Sequence, residues 1–150
     1  MSNQLYRLVY CSRNHIRGAA PEVEREVRNI LLKARANNAA AGITGALLYN
    51  SGNFAQVLEG PVESIGRIFE KIQRDLRHSE VTVVENGRIS ERQFADWSMA
   101  FAGESTVPAT PVTAAAFDAA FGKAVGAGEQ IMDILRHLVL QEEDPILLGA

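Results

Sequence analysis

Two short apolar runs, residues 44–50 and 53–59, meet at the turn-rich Asn50-Ser51-Gly52-Asn53 and are flanked on their far sides by helix-period stretches. Strand patterns joined by so short a polar turn specify a hairpin. Its neighbours leave few folds open. Residues 4–11 alternate as a strand, with Tyr6, Leu8 and Tyr10 on one face and Leu5, Arg7, Val9 and Cys11 on the other. Ser12 to Ala20 reads as a loop, and Pro21 then opens a helix at a position where its missing N–H costs nothing. Val23, Val27, Ile30, Leu31 and Ala34 form the apolar stripe of that helix, which is expected to run out around Asn37-Asn38 with Gly42 beyond. A second helix is predicted over about 62–77 on Ile65, Phe69, Ile72 and Leu76, a fourth strand over 81–87 and a fifth over 97–101. The order β-α-β-β-α-β(-β) is that of an α+β, ferredoxin-like sandwich with both helices on one sheet face.

From Gly103 to Ala116 the chain is small and polar, with Pro108 and Pro111, and reads as a connector. Two short helices follow, at about 114–124 and 129–142, broken by Gly126 and Gly128; Ile131, Leu135 and Leu138 stripe the second. A sheet with helices on one face leaves the other face partly apolar, and this pair has the character to cover it. The division expected is 1–103 for the main domain and 104–150 for a connector and helical appendage.

With 150 residues, 22% charged and net charge −3, the chain offers no electrostatic case for nucleic acid or an anionic membrane. No apolar run approaches the ~20 residues that span a bilayer, and Met1-Ser2-Asn3-Gln4 lacks a signal-peptide design. A lone Cys11 excludes an internal disulfide and suits a reducing compartment, so the expectation is a soluble cytoplasmic domain.

Gln56 is the anomaly. It lies in Phe54-Ala55-Gln56-Val57-Leu58, otherwise a buried strand, where an unpaired amide costs about 1–3 kcal/mol. Tyr10 points the same way as Leu8, Gln56 the same way as Phe54 and Leu58, and Trp97, Met99 and Phe101 share a face; if all three sets face the helices, they converge in one apolar layer. One reading is a core tyrosine bonded to a core glutamine with Trp97 and Met99 as filler. The other is a ligand site of phenol, amide, indole and thioether. Asn37 and Asn38 read either as a helix C-cap or as amides aimed at a planar heterocycle. Asp75, Arg77 and His78 read as a solvated helix end or as part of a site. Three scattered histidines and one cysteine give no metal-ligand spacing, and a Cys11–His15 nucleophile is disfavoured. No glycine-rich phosphate fingerprint follows any strand.

Five segments in register resemble the BLUF domain, the blue-light sensor that uses FAD. They are Leu5-Tyr-Arg-Leu-Val-Tyr10-Cys-Ser12, Asn37-Asn38 before Gly42-Ile-Thr-Gly45, Phe54-Ala-Gln56-Val-Leu-Glu-Gly60, Asp75-Leu-Arg77-His78, and Arg92-Gln-Phe94 with Trp97-Ser98-Met99. The resemblance covers about residues 4–103; the pattern commonly has a bulkier residue where this chain has Ala55. It implies non-covalently bound FAD, with Tyr10 and Gln56 as the photoactive pair and Asn38 bonding the polar edge of the isoalloxazine beside Asn37. Ile30 and Asp75 join that cofactor set. Arg77 and His78 line the flavin and its ribityl side, and Trp97 and Met99 relay the change. The two helices clasp the ring.

The resemblance further implies a sensor, not an enzyme. Light moves an electron and a proton from Tyr10; they return once Gln56 has rotated or tautomerised. The signal is expected to pass through strand five to residues 117–142 and on to a separate downstream protein or a homo-oligomer. The rival readings are a flavin-less interaction module and an acylphosphatase-type enzyme, whose phosphate loop is not evident in Ser12 to Ala20.

Overall fold

The strand–helix–hairpin–helix–strand order is realised as β1 (Leu5–Asn14), α1 (Ala20–Ala41), β2 (Thr44–Asn50), β3 (Asn53–Pro61), α2 (Val62–Arg74) and β4 (His78–Ile89). β5 (Ala100–Ala102), α3 (Pro111–Phe121) and α4 (Ala127–Glu142) follow. This computed structural model describes residues 4–50, 52–95, 99–102 and 111–142, with only the backbone course at 50, 101, 102, 111, 112 and 138–142. Trp97, the side chain of Phe101 and most of the expected connector lie outside the described residues.

The sheet order is β4-β1-β3-β2-β5, antiparallel throughout except where β5 runs parallel to β2. Period-two alternation sorts the strand side chains to two faces. Leu8, Leu47, Phe54, Leu58 and Met99 pack with Val23, Val27 and Leu31 of α1 and Ile65 of α2. Val9, Cys11, Leu48, Ala55 and Val57 pack with Phe117 of α3 and Ile131 and Leu135 of α4. The α+β sandwich is as expected from sequence, and the C-terminal helices cover the second face.

Several boundaries differ from the sequence expectation. α1 continues through Asn37-Asn38 to Ala41, because Ala39-Ala40-Ala41 are strong helix formers and the stop lies at Gly42. Gly42 takes the left-handed conformation at φ 74°, and the Ile43 N–H closes the end on the Asn38 carbonyl at 2.9 Å. Both asparagines therefore sit inside the last turns of the helix and are not its cap. β1 runs on to Asn14, beyond the expected loop start. α2 stops at Arg74, where the Asp75 carboxylate accepts the Arg77 N–H at 2.9 Å and turns the chain. β4 begins at His78 and absorbs register shifts against β1, with Glu80 at φ 54°. β5 begins at Ala100, so Met99 precedes the strand, and α3 begins at Pro111, inside the segment expected to be connector.

Glu59, 0% exposed on β3, ties the residues after β4 to the sheet. Its carboxylate accepts the Gln93 and Phe94 N–H groups at 2.9 and 3.0 Å and pairs with Arg7 at 2.9 Å. Arg92 adds bonds to Thr44 Oγ1, the Glu59 carbonyl and the Gly42 carbonyl. The chain ahead of Met99 thus leaves the sheet from a fixed point.

Candidate functional site

Between α1 and α2, over the β1–β3–β2 part of the sheet, lies a cleft of about 250 Å³. Tyr10, Ile30, Asn37, Asn38, Gln56, Asp75, Arg77 and His78 all line it. Every described residue expected to touch a cofactor is thus brought to one place. Met99 does not line the cleft; it sits behind Gln56, buried. The walls also include Lys33, Ala34, Leu47, Phe54, Ile68, Lys71 and Ile72, which were not singled out as site residues. The available signal is their spacing of four from named residues, Lys33 from Asn37, Ala34 from Asn38 and Lys71 from Asp75.

Tyr10 and Gln56 are register partners on β1 and β3, so their side chains leave the sheet side by side on the helix face. The Tyr10 hydroxyl donates to Gln56 Oε1. Gln56 Nε2, in a residue 5% exposed, has as its only acceptor among the described residues the Met99 Sδ at 3.5 Å. An amide nitrogen carries two N–H donors and a thioether is a weak acceptor, so Gln56 is short of hydrogen bonding on that side. Burial, followed by the Cys11 and Asp75 charges, pushes the Tyr10 phenol far above the usual tyrosine range. Its proton therefore stays on the oxygen in the resting molecule. Phe69 packs on Tyr10 with ring centroids 5.5 Å apart.

Asn38, 1% exposed, faces the cleft from one wall. At the far end, the Arg77 guanidinium forks onto Asp75 at 2.6 Å and reaches Glu26 of α1 at 2.8 Å, joining the two helical walls. The hydrogen bond from Arg77 is the main cause holding the Asp75 carboxyl below the usual carboxylate range. His78 spends both ring nitrogens on the protein, on Ser12 Oγ at 2.7 Å and the Ile72 carbonyl at 2.6 Å. It thereby fixes the exit of α2 to β1. His15 bonds Ser79, while Cys11 lies on the opposite sheet face, so those two form no nucleophile.

The donor set suits a flavin. Ile30, Ala34, Leu47, Ile68 and Ile72 supply apolar walls for a planar ring, Gln56 has an N–H to give, and the exposed Lys33 and Lys71 suit an anionic tail. Among the described residues no group of three or more His, Cys, Asp or Glu side chains could hold a metal, and no helix is long and apolar enough to cross a membrane.

Comparison with known proteins agrees. The model of the family described as BLUF, sensors of blue-light using FAD, matches residues 5–100. The photoactivated adenylate cyclase subunit beta of Euglena longa is 36% identical over 92 residues, 61% of this chain and 11% of the relative. The matched part thus spans about a tenth of the length of the cyclase relatives. The dark-state structure of BlrB, a BLUF protein, superposes with a TM-score of 0.71 at 30% identity, covering 90% of this chain and all (100%) of that one. The ground state of BlsA gives 0.72 at 29% identity, covering 93% of this chain and 91% of that one. BLUF sensor domains are not themselves enzymes. The matched span, the shared fold and a cleft that gathers the motif residues lead to one assignment: the chain belongs to the BLUF family of flavin-binding blue-light photoreceptors.

Proposed function

We propose that the cleft holds FAD non-covalently and that Tyr10 and Gln56 form a hydrogen-bond switch read out by Met99. The observation that carries this reading is the Gln56 amide. Its carbonyl is taken by Tyr10, while its amino group faces only a thioether among the described residues, a poor resting place for a buried donor. A flavin carbonyl or ring nitrogen would complete it. Asn38 with Asn37 would address the polar edge of the ring. Ile30 would pack on its face, and Asp75, Arg77 and His78 would border the ribityl side. The cleft volume of about 250 Å³ lies just below the roughly 300–1,000 Å³ that encloses a drug-sized ligand, which favours a buried ring and a tail leaving past Lys33 and Lys71.

When bound, the flavin supplies blue-light absorption and a transient acceptor for an electron and a proton. Tyr10 would supply both and take them back. Gln56 is the group that changes, since an amide presents a donor and an acceptor whose exchange reverses its bonds. One rearranged bond is worth only about 0.5–1.5 kcal/mol net, against about 5.5 kcal/mol to move an equilibrium from 1:99 to 99:1. The photon makes up the difference, and the switched form is metastable. Met99, in contact with the Gln56 amide and adjoining β5, is the first residue placed to feel it, with Trp97 as its partner in relay.

In this reading residues 1–103 form the sensing part and 104–150 the output part, with residues 117–142 as the surface presented to a separate downstream protein or to a second copy of the chain in the cytoplasm. The phosphatase rival is disfavoured because Arg77 is already matched by two carboxylates. The test is an absorption spectrum of purified protein in darkness and under blue light. A yellow protein with a small red shift that reverses in the dark supports the reading, and analysis of the released flavin separates FAD from the mononucleotide. A colourless protein that refuses added FAD overturns it.

A further inference from the structure

Arg35 lies on α1 one turn before Asn38, outside the residues that line the cleft. Its Nε donates to the backbone carbonyl of Met99 at 2.9 Å. The same methionine meets Gln56 Nε2 through its sulfur at 3.5 Å. Met99 is therefore held twice, by its backbone to α1 and by its side chain to the switching amide. The cleft helix that carries Asn38 is in this way joined to the residue behind Gln56. Arg35 Nη2 is buried and has no acceptor among the described residues. Burial, and then the charge of Arg28, lowers the pKa of this guanidinium. A half-buried cation with one buried, open donor is a poor stabilising device. Its geometry accounts for it better than its contribution to stability.

We infer that Arg35 is a positioning residue for the switch: by holding the Met99 carbonyl it keeps the thioether within reach of the Gln56 amide and guides that amide back to its contact with the Met99 sulfur. This inference rests on the photosensor reading above. The dark recovery of the switched form requires Met99 and Gln56 to regain their contact. A methionine whose backbone is anchored regains it along a narrower path than one that is loose.

The test uses the full chain with methyl-labelled methionine, as wild type, Arg35→Met and Arg35→Lys, each free of flavin and loaded with FAD; Met99→Leu assigns the Met99 methyl resonance. In Arg35→Met the Met99 resonance is expected to move in both the free and the loaded protein. Dark recovery should slow about tenfold, the weight of one hydrogen bond from a charged donor. Arg35→Lys, which keeps a charge and a donor, should fall between wild type and Arg35→Met. The melting temperature of Arg35→Met should stay within a few degrees of wild type, because the lost bond to the Met99 carbonyl is offset by removal of an open buried donor, and this distinguishes positioning from structural support. An unmoved Met99 resonance in both variants, or recovery faster than or within about twofold of wild type, overturns the inference. Should Arg35→Met fail to fold, the Arg35→Lys resonance and recovery decide by the same criteria. A wild type that takes up no flavin instead overturns the photosensor reading, and the flavin-free Met99 resonance still decides whether Arg35 holds Met99.

Discussion

Tyr10 and Gln56 stand opposite one another on neighbouring antiparallel strands, and the Tyr10 hydroxyl donates to the Gln56 side-chain carbonyl. The pairing is a consequence of sheet register. A slip of one residue would send either side chain to the face covered by α3 and α4.

Gln56→Leu removes both polar ends of the switch while keeping an apolar side chain of similar length. Flavin binding should weaken by no more than about tenfold, the worth of one net hydrogen bond, and the light-induced absorbance shift should vanish. Paired dark and illuminated spectra of the loaded variant check this; a normal shift would remove Gln56 from the mechanism.

Glu59 is fully buried, and its carboxylate answers one guanidinium and two backbone N–H groups. Glu59→Leu strands both N–H groups and leaves Arg7 with Glu85 alone, and the expected loss is about 3–5 kcal/mol. Glu59→Gln keeps an acceptor for the backbone and should lose less. Urea unfolding of both variants measures the gap.

A Cβ on Gly45 would come within 1.9 Å of the Val57 carbonyl oxygen, a backbone atom of β3 that cannot step aside. Gly45→Ala should therefore spread the β2–β3 hairpin at the strand that carries Gln56. The expected cost is about 1–3 kcal/mol, or a melting temperature lower by roughly 2–12 °C, read by thermal unfolding.

The Asp75 carboxyl is held below its ordinary value chiefly by the hydrogen bond from Arg77. A carboxylate whose folded pKa is depressed contributes stability that is present above the unfolded value of about 4. That contribution is lost as pH falls through the folded value. Asp75→Asn should thus be less stable than wild type at neutral pH, with the difference shrinking as pH drops below about 4. Denaturation series at several pH values test this, and a gap that widens in acid would contradict it.

Burial raises the Cys11 thiol to about 12, and the residue is 0% exposed. The thiolate is the reactive form, so native protein near pH 8 should resist iodoacetamide, while urea-unfolded protein should label fully. Mass spectrometry distinguishes the two states.

The hairpin, the two flanking helices and the sheet-facing alternation were legible in the sequence because they depend on local periodicity and turn chemistry. Element ends were less so. The asparagines at 37 and 38 looked like a stop, but three alanines and a left-handed Gly42 carried α1 past them, so a helix end read from polar residues was displaced by the true cap. Tyr10 and Gln56 could be picked out because polar groups are conspicuous in an apolar strand. Arg35 and Glu59 could not, since a charge on a helix or near a strand end reads as solvated until something covers it.

Sequence alone therefore determined the order of elements, the faces of each strand and the family to which the motifs belong. Tertiary structure alone decided that the Glu59 carboxylate anchors the chain after β4, that Arg77 bridges α1 to the exit of α2, and that Arg35 reaches Met99. The physical reason is distance along the chain. These contacts join residues many positions apart, and no local periodicity encodes which buried charge will meet which partner once two helices and a sheet have closed over them.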